Sequence, residues 1–153
     1  MGKELVVRSE TAPRHRWRRN PRSFAALQKV WLGLRILYWF TIVSRRVKRH
    51  PLPVAVVSLC RRSTSGRDEI DPDRLGRAVG RVLRPFGPVR ARCLIKSLTL
   101  LAMLPQGDSA IHLVIGLPSR PSSQEAHAWV EIDGVDVGPP PGRDSHQELI
   151  RYP

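Results

Sequence analysis

Hydrophobic and polar positions follow a helical spacing through most of the chain and turn to alternation near its end. Leu27, Val30, Trp31, Leu34, Leu37 and Tyr38 recur three or four apart, which predicts a helix over residues 24–43 with Ser23 as its cap and this set as its core face. Pro51-Leu52-Pro53 breaks the chain, and the apolar run 54–60 that follows fits a strand or a helix turn equally. A loop through Ser63-Thr64-Ser65-Gly66 leads to Asp71-Pro72, a capping side chain with proline at the first helical position. That helix is expected to reach about Arg84, with Leu75, Val79, Val82 and Leu83 on its apolar stripe and Arg74, Arg77, Arg81 and Arg84 in solvent.

Residues 92–104 form an almost wholly apolar helical stretch with one cysteine near its start. Phe86-Gly87-Pro88 breaks the chain upstream and Pro105-Gln106-Gly107 downstream, which places Cys93 in the first turn, beside unpaired amide N–H groups. Those groups and the positive end of the helix dipole favour a thiolate. The β-branched run 110–117 reads as a strand buried on both faces, and 118–124 as a polar loop able to wall a cleft. Residues 126–132 alternate and meet Asp133-Gly134, a two-residue hairpin turn, with Val135-Asp136-Val137 returning. Pro139-Pro140-Pro141-Gly142 then stops sheet pairing, and the last eleven residues read as a short helix or tail. Helices first and an antiparallel sheet last make an α+β arrangement without internal repeats.

Composition adds an asymmetry. Residues 1–50 carry 13 Lys/Arg against 2 acids, residues 51–92 carry 9 against 4, and residues 93–153 carry 4 against 7. A basic front half suits nucleic acid, anionic lipid or an acidic peptide, and charge alone does not choose among them. The cluster Arg45-Arg46-Val47-Lys48-Arg49 reads as a favourable helix end rather than a nucleic-acid patch. Residues 1–22 read as a basic mobile tail, 23–70 as a helical N-terminal part and 71–153 as the core carrying the chemistry. Two cysteines are too few for a disulfide framework and no signal peptide opens the chain, so a reducing cytoplasm is the expected compartment. The apolar stretch 30–43 is interrupted by Arg35 and shorter than the ~20 residues that span a bilayer.

Cys93 and His127, on separate elements, are the candidates for a nucleophile and its base; the alternative for Cys93 is a small buried hydrophobe. Cys60 has no helix start or histidine motif beside it and reads as structural. His112 lies inside an apolar strand and reads as a hydrogen-bonded core residue, while His15, His50 and His146 fall in tails or breaks. No Cys or His pair has ligand spacing and no glycine-rich phosphate loop is present, so neither metal nor cofactor is expected. Trp129 is expected to pack beside His127, and Glu131 to face solvent or pair with an arginine.

The runs Cys93-Leu94-Ile95-Lys96-Ser97-Leu98-Thr99-Leu100, Leu113-Val114-Ile115-Gly116 and Ala126-His127-Ala128-Trp129-Val130-Glu131-Ile132-Asp133-Gly134 resemble the transglutaminase-like leader peptidases of lasso-peptide biosynthesis. The resemblance covers roughly residues 71–138. It implies a papain-like arrangement, with the cysteine heading a helix and the histidine on the adjoining sheet. It also implies an activity, that of a cysteine protease which removes the leader from a ribosomally made lasso precursor peptide, so that a separate ATP-dependent cyclase can close the macrolactam. The front half leaves no room for a fused leader-binding domain, so the chain resembles the stand-alone peptidase of a split system. A separate leader-recognition protein is the expected partner. No nucleic-acid partner is expected, and the basic N-terminal part is left for contact with a membrane surface.

Carried over by position, Cys93 would attack the carbonyl of the last leader residue and His127 would take its proton and return it to the leaving amine, with backbone N–H groups around Cys93 as the oxyanion hole. In the family an acid follows the histidine by about a dozen residues; here that place falls in Gly138-Pro139-Pro140. Asp136 is the nearest acid on the return strand, but the turn pairs it with Glu131, about 13 Å along the strand from His127. Asp144, the Gln147 amide or a backbone carbonyl are the alternatives, and a slow or inactive enzyme is the further consequence. Two rival functions follow: a non-catalytic scaffold that binds a peptide or membrane, and an acyltransferase on the same fold.

Overall fold

The computed structural model describes residues 26–61, 70–86, 89–105, 109–119, 126–138 and 146–153. Four helices, α1 (Ala26–Arg49), α2 (Leu52–Cys60), α3 (Pro72–Val82) and α4 (Val89–Met103), precede four strands, β1 (Ile111–Pro118), β2 (His127–Ile132), β3 (Val135–Val137) and β4 (His146–Tyr152). The strands form one antiparallel sheet in the order β3-β2-β1-β4, and the expected α+β arrangement is the one observed.

Nothing breaks α1 until Pro51, so it runs past the expected end at 43 and places Arg46, Lys48 and Arg49 in its last turn, where cations complement the carbonyl end of the dipole. The expected Ser23 cap lies outside the described residues. The buried face of α1 is not the expected one. Leu27, Val30, Trp31, Leu34 and Tyr38 are 57–81% exposed, whereas Ile36, Trp39 and Val43 enter the core with Leu32, Leu37, Phe40 and Val47 packed at its margin. Both sides of α1 are apolar, so periodicity finds two stripes. The buried one continues to Val47, while the other runs at the same 3.6-residue spacing into Arg45, Lys48 and Arg49, which resist burial.

The undecided run after Pro51 is helical. Prolines sit at the N-cap and in the first turn of α2, where a missing N–H costs nothing. In α3, Asp71 caps as expected, accepting from the Asp73 N–H at 3.1 Å, and Leu75, Val79 and Leu83 are buried. α4 is buried from Ser97 to Leu104 because it lies between the other three helices and the sheet. Leu98, Leu101, Ala102 and Leu104 share the core with Ile36, Val43, Leu59, Leu113 and Val130. The Ser97 hydroxyl donates to the Ala128 carbonyl at 2.8 Å and fixes the height of α4 on β2.

The hairpin forms at the expected turn. Asp133 (φ 51°) and Gly134 (φ 76°) both take left-handed backbone angles, as a two-residue turn with the twist of the strands requires. Asp133 also locks the start of β1: its N–H donates to the Ala110 carbonyl at 2.9 Å and its carboxylate accepts from the Ala110 N–H at 2.9 Å. The C-terminal residues are neither helix nor tail. They form β4 on the free edge of β1, with a bulge against Ile115/Gly116 that breaks the alternation by which a strand would be recognised.

The two faces of α1 make a direct test. Trp39→Ala should lower unfolding free energy by about 3–5 kcal/mol, and Trp31→Ala by less than about 1 kcal/mol, in urea denaturation. Equal losses would contradict the assignment of the buried face.

Candidate active site

β2 is buried on both sides, and its alternation sorts its side chains by layer. Ala128, Val130 and Ile132 face the helices; His127, Trp129 and Glu131 take the opposite direction. β3 pairs with β2 only as far as Val130↔Val137, so the first residues of β2 lie beyond the end of that strand. Here a cleft opens between α3, α4 and the sheet. Gly76, Cys93, Lys96, Ser97, His127 and Gly138 are among the residues that line it.

Cys93 and His127 both line this cleft, the thiol from α4 and His127 from the first residue of β2, whose ring turns toward Trp129 on the other face of the sheet. Cys93 does not sit in the first turn as expected: α4 begins at Val89, directly after the Pro88 break, and Cys93 is its fifth residue. The consequence for chemistry is small. Side chains on a helix lean toward its N-terminus, so the thiol lies toward the first turn, where N–H groups lack intrahelical acceptors. Its Sγ is 3.8 Å from the carbonyl oxygen of Ala126, the residue before His127. Cys93 is half-buried, and Lys96, one turn on, brings a cation to the same cleft.

His127 stands in a cluster of three rings. It stacks on Trp129 at 6.2 Å between ring centres with 17° between planes, and lies 5.0 Å from His146, which is itself 6.2 Å from Trp129. The expected packing of Trp129 beside the histidine is observed. A Cβ at Gly116 would come within 2.8 Å of the Trp129 ring and 2.6 Å of the Gln147 carbonyl oxygen, so the absent side chain leaves room for the indole over β1. The indole N–H donates to Glu131 Oε1 at 3.0 Å, and Glu131, only 2% exposed, pairs with Arg151 of β4 at 2.9 Å. Of the two expectations for Glu131, the arginine partner is correct and the solvent-facing one is not. Arg151 also forms a bidentate pair with Glu148, and the two carboxylates, Glu148 foremost, drive the guanidinium further toward its charged form.

Asp136 pairs opposite Glu131, as the turn demands, which leaves it about 13 Å along the sheet from His127. The expected place of the acid is occupied by backbone contact. Gly138 takes φ 83°, its N–H donates to Asp73 at 3.3 Å, and a Cβ on Gly76 would stand 2.7 Å from its Cα. The chain at Gly138 thus packs onto α3. Asp144 lies outside the described residues. Gln147 is exposed in β4 and alternates to the face opposite His146.

His146 is the residue beside His127 that the sequence does not reveal, because only the β1–β4 pairing brings it there. The remaining side chains are less engaged. His112 is not hydrogen-bonded through Nδ1, which is buried without a partner, contrary to expectation. Cys60 lies away from the site, its Sγ 3.5 Å from the Pro153 carbonyl, and burial pushes its thiol pKa up. Among the described residues no three His, Cys, Asp or Glu side chains converge as a metal site would require.

The sequence profile of the transglutaminase-like superfamily matches residues 34–151, a span that holds Cys93, His127 and His146 and reaches from α1 into β4. No curated protein and no solved structure matches the chain.

Two outcomes follow from this geometry. Gly116→Ala should cost about 1–3 kcal/mol, read by denaturation, since a backbone carbonyl and a packed indole must both move; an unchanged midpoint would refute the close approach. The raised pKa of Cys60 leaves less thiolate at neutral pH, so iodoacetamide should modify it more slowly than free cysteine there and catch up as the pH rises through the raised value. Neutral-pH labelling of Cys60 at the rate of free cysteine would contradict its burial.

Proposed function

The chain belongs to the transglutaminase-like superfamily, which includes cysteine peptidases and acyltransferases, and from that membership and the shared cleft of Cys93 and His127 we propose a cysteine peptidase that removes the leader from a ribosomally made lasso precursor peptide. The observation that carries the peptidase reading is the placement of a half-buried thiol and an imidazole on one open cleft, the thiol over a helix start. The leader and lasso context is supported by the Cys93–Leu100 and Ala126–Gly134 runs and their order and spacing.

In this reading His127 takes the Cys93 proton as the sulfur attacks the carbonyl carbon of the last leader residue. The C–S bond forms, the oxyanion faces the N–H groups of the first turn of α4, and the C–N bond breaks as His127 returns the proton to the departing amine. Water, deprotonated by His127, then releases the leader carboxylate and restores the thiol. Replacing that water by an amine would give acyl transfer instead. A separate leader-recognition protein would deliver the precursor, and an ATP-dependent cyclase would take the freed core peptide.

Mass spectrometry of a lasso precursor incubated with this protein and a leader-recognition protein tests the reading. The expected result is one cut, a free carboxylate on the leader, and loss of cleavage in Cys93→Ala by at least about a thousandfold. An amine adduct on the leader would favour the acyltransferase. An intact precursor in the presence of folded protein and partner would favour the binding scaffold.

A further inference from the structure

A ring with hydrogen-bonding nitrogens flanks His127, and it comes from β4. His127 pairs with Gly116 of β1, and His146 pairs with Pro118 two residues further along the same strand and on the same face. Gly116 puts no side chain between them, and the two imidazole centres stand 5.0 Å apart with planes inclined by 31°. The rings are in tilted contact, near enough that rotation about their side-chain bonds can bring a nitrogen of one to a nitrogen of the other. Trp129 closes the third side of the cluster and is itself held by Glu131, which is held by Arg151. Arg151 and His146 belong to the same strand, so one element supports His127 both directly and through the indole.

We propose that His146 is the positioning residue for His127, in the role for which the sequence lacks an acid at 138–140. An unprotonated nitrogen of His146 accepts from the His127 N–H turned away from Cys93, which fixes the tautomer that presents the other His127 nitrogen to the thiol. A neutral ring orients His127 as a carboxylate would but adds no negative charge to stabilise the imidazolium, so the dyad works more slowly than an acid-supported one. The inference rests on the reading of Cys93 and His127 as nucleophile and base.

Alkylation of Cys93 by iodoacetamide at neutral pH, followed by peptide mass mapping so that Cys60 is read separately, tests it without any precursor. His127→Ala defines the rate of an unassisted thiol. His146→Phe keeps a packed ring and removes the acceptor; it should lose most of the His127-dependent rate, at least about tenfold. His146→Gln and His146→Asp restore an acceptor and should recover most of it, with unfolding midpoints recorded for every variant. A wild-type rate in His146→Phe, or rates in the Gln and Asp variants as low as in Phe, would overturn the role of His146 while leaving the dyad standing. No difference between wild type and His127→Ala would overturn the dyad and this inference with it.

Discussion

Burial of α4 on every side is the constraint from which the architecture follows. A helix that hides Leu98, Leu100, Leu101, Ala102, Met103 and Leu104 needs apolar partners all around, and α1, α2, α3 and the sheet supply them. Among its described side chains, those of residues 93–96 are only partly covered, and Cys93 is one of them. Cys93 is thus carried by a helix that Ser97, bonded to the Ala128 carbonyl, fixes against the strand that starts with His127.

The second determinant is where β3 stops. Close contact between Gly138 and Gly76, with Asp73 accepting the Gly138 N–H, draws the chain onto α3 one residue after the last pair of the hairpin. Neither glycine tolerates a side chain there: Gly138 has a left-handed backbone and Gly76 has no space. The edge of β2 beside His127 lies beyond the end of β3 and borders the cleft. Gly116 leaves room across β1, and β4 provides His146, Arg151 and, through Glu131, the fixed indole of Trp129.

Local signals were sufficient wherever a local force decides the structure. The Asp71 cap, the Asp133-Gly134 turn, the β1 strand, the C-terminal end of α4 and the pairing of Asp136 with Glu131 can all be read from neighbouring residues. What escaped depends on contacts distant in sequence. The choice between the two apolar stripes of α1 is made by α4, and β4 is a strand only because β1 offers it an edge. His146 looked like a tail residue for the same reason, since a bulge and a glycine in another strand bring it to His127.

The measurement that bears most directly on the Cys93–His127 centre is capture of the covalent intermediate. Precursor peptide and its leader-binding partner would be mixed with the protein, quenched in acid within a turnover, and the intact protein and its peptides weighed. The expected product is an acyl adduct on Cys93 with the mass of the leader, labile to hydroxylamine and absent from Cys60. Precursor cleavage without any adduct, in a protein whose Cys93→Ala variant cleaves equally well, would contradict it.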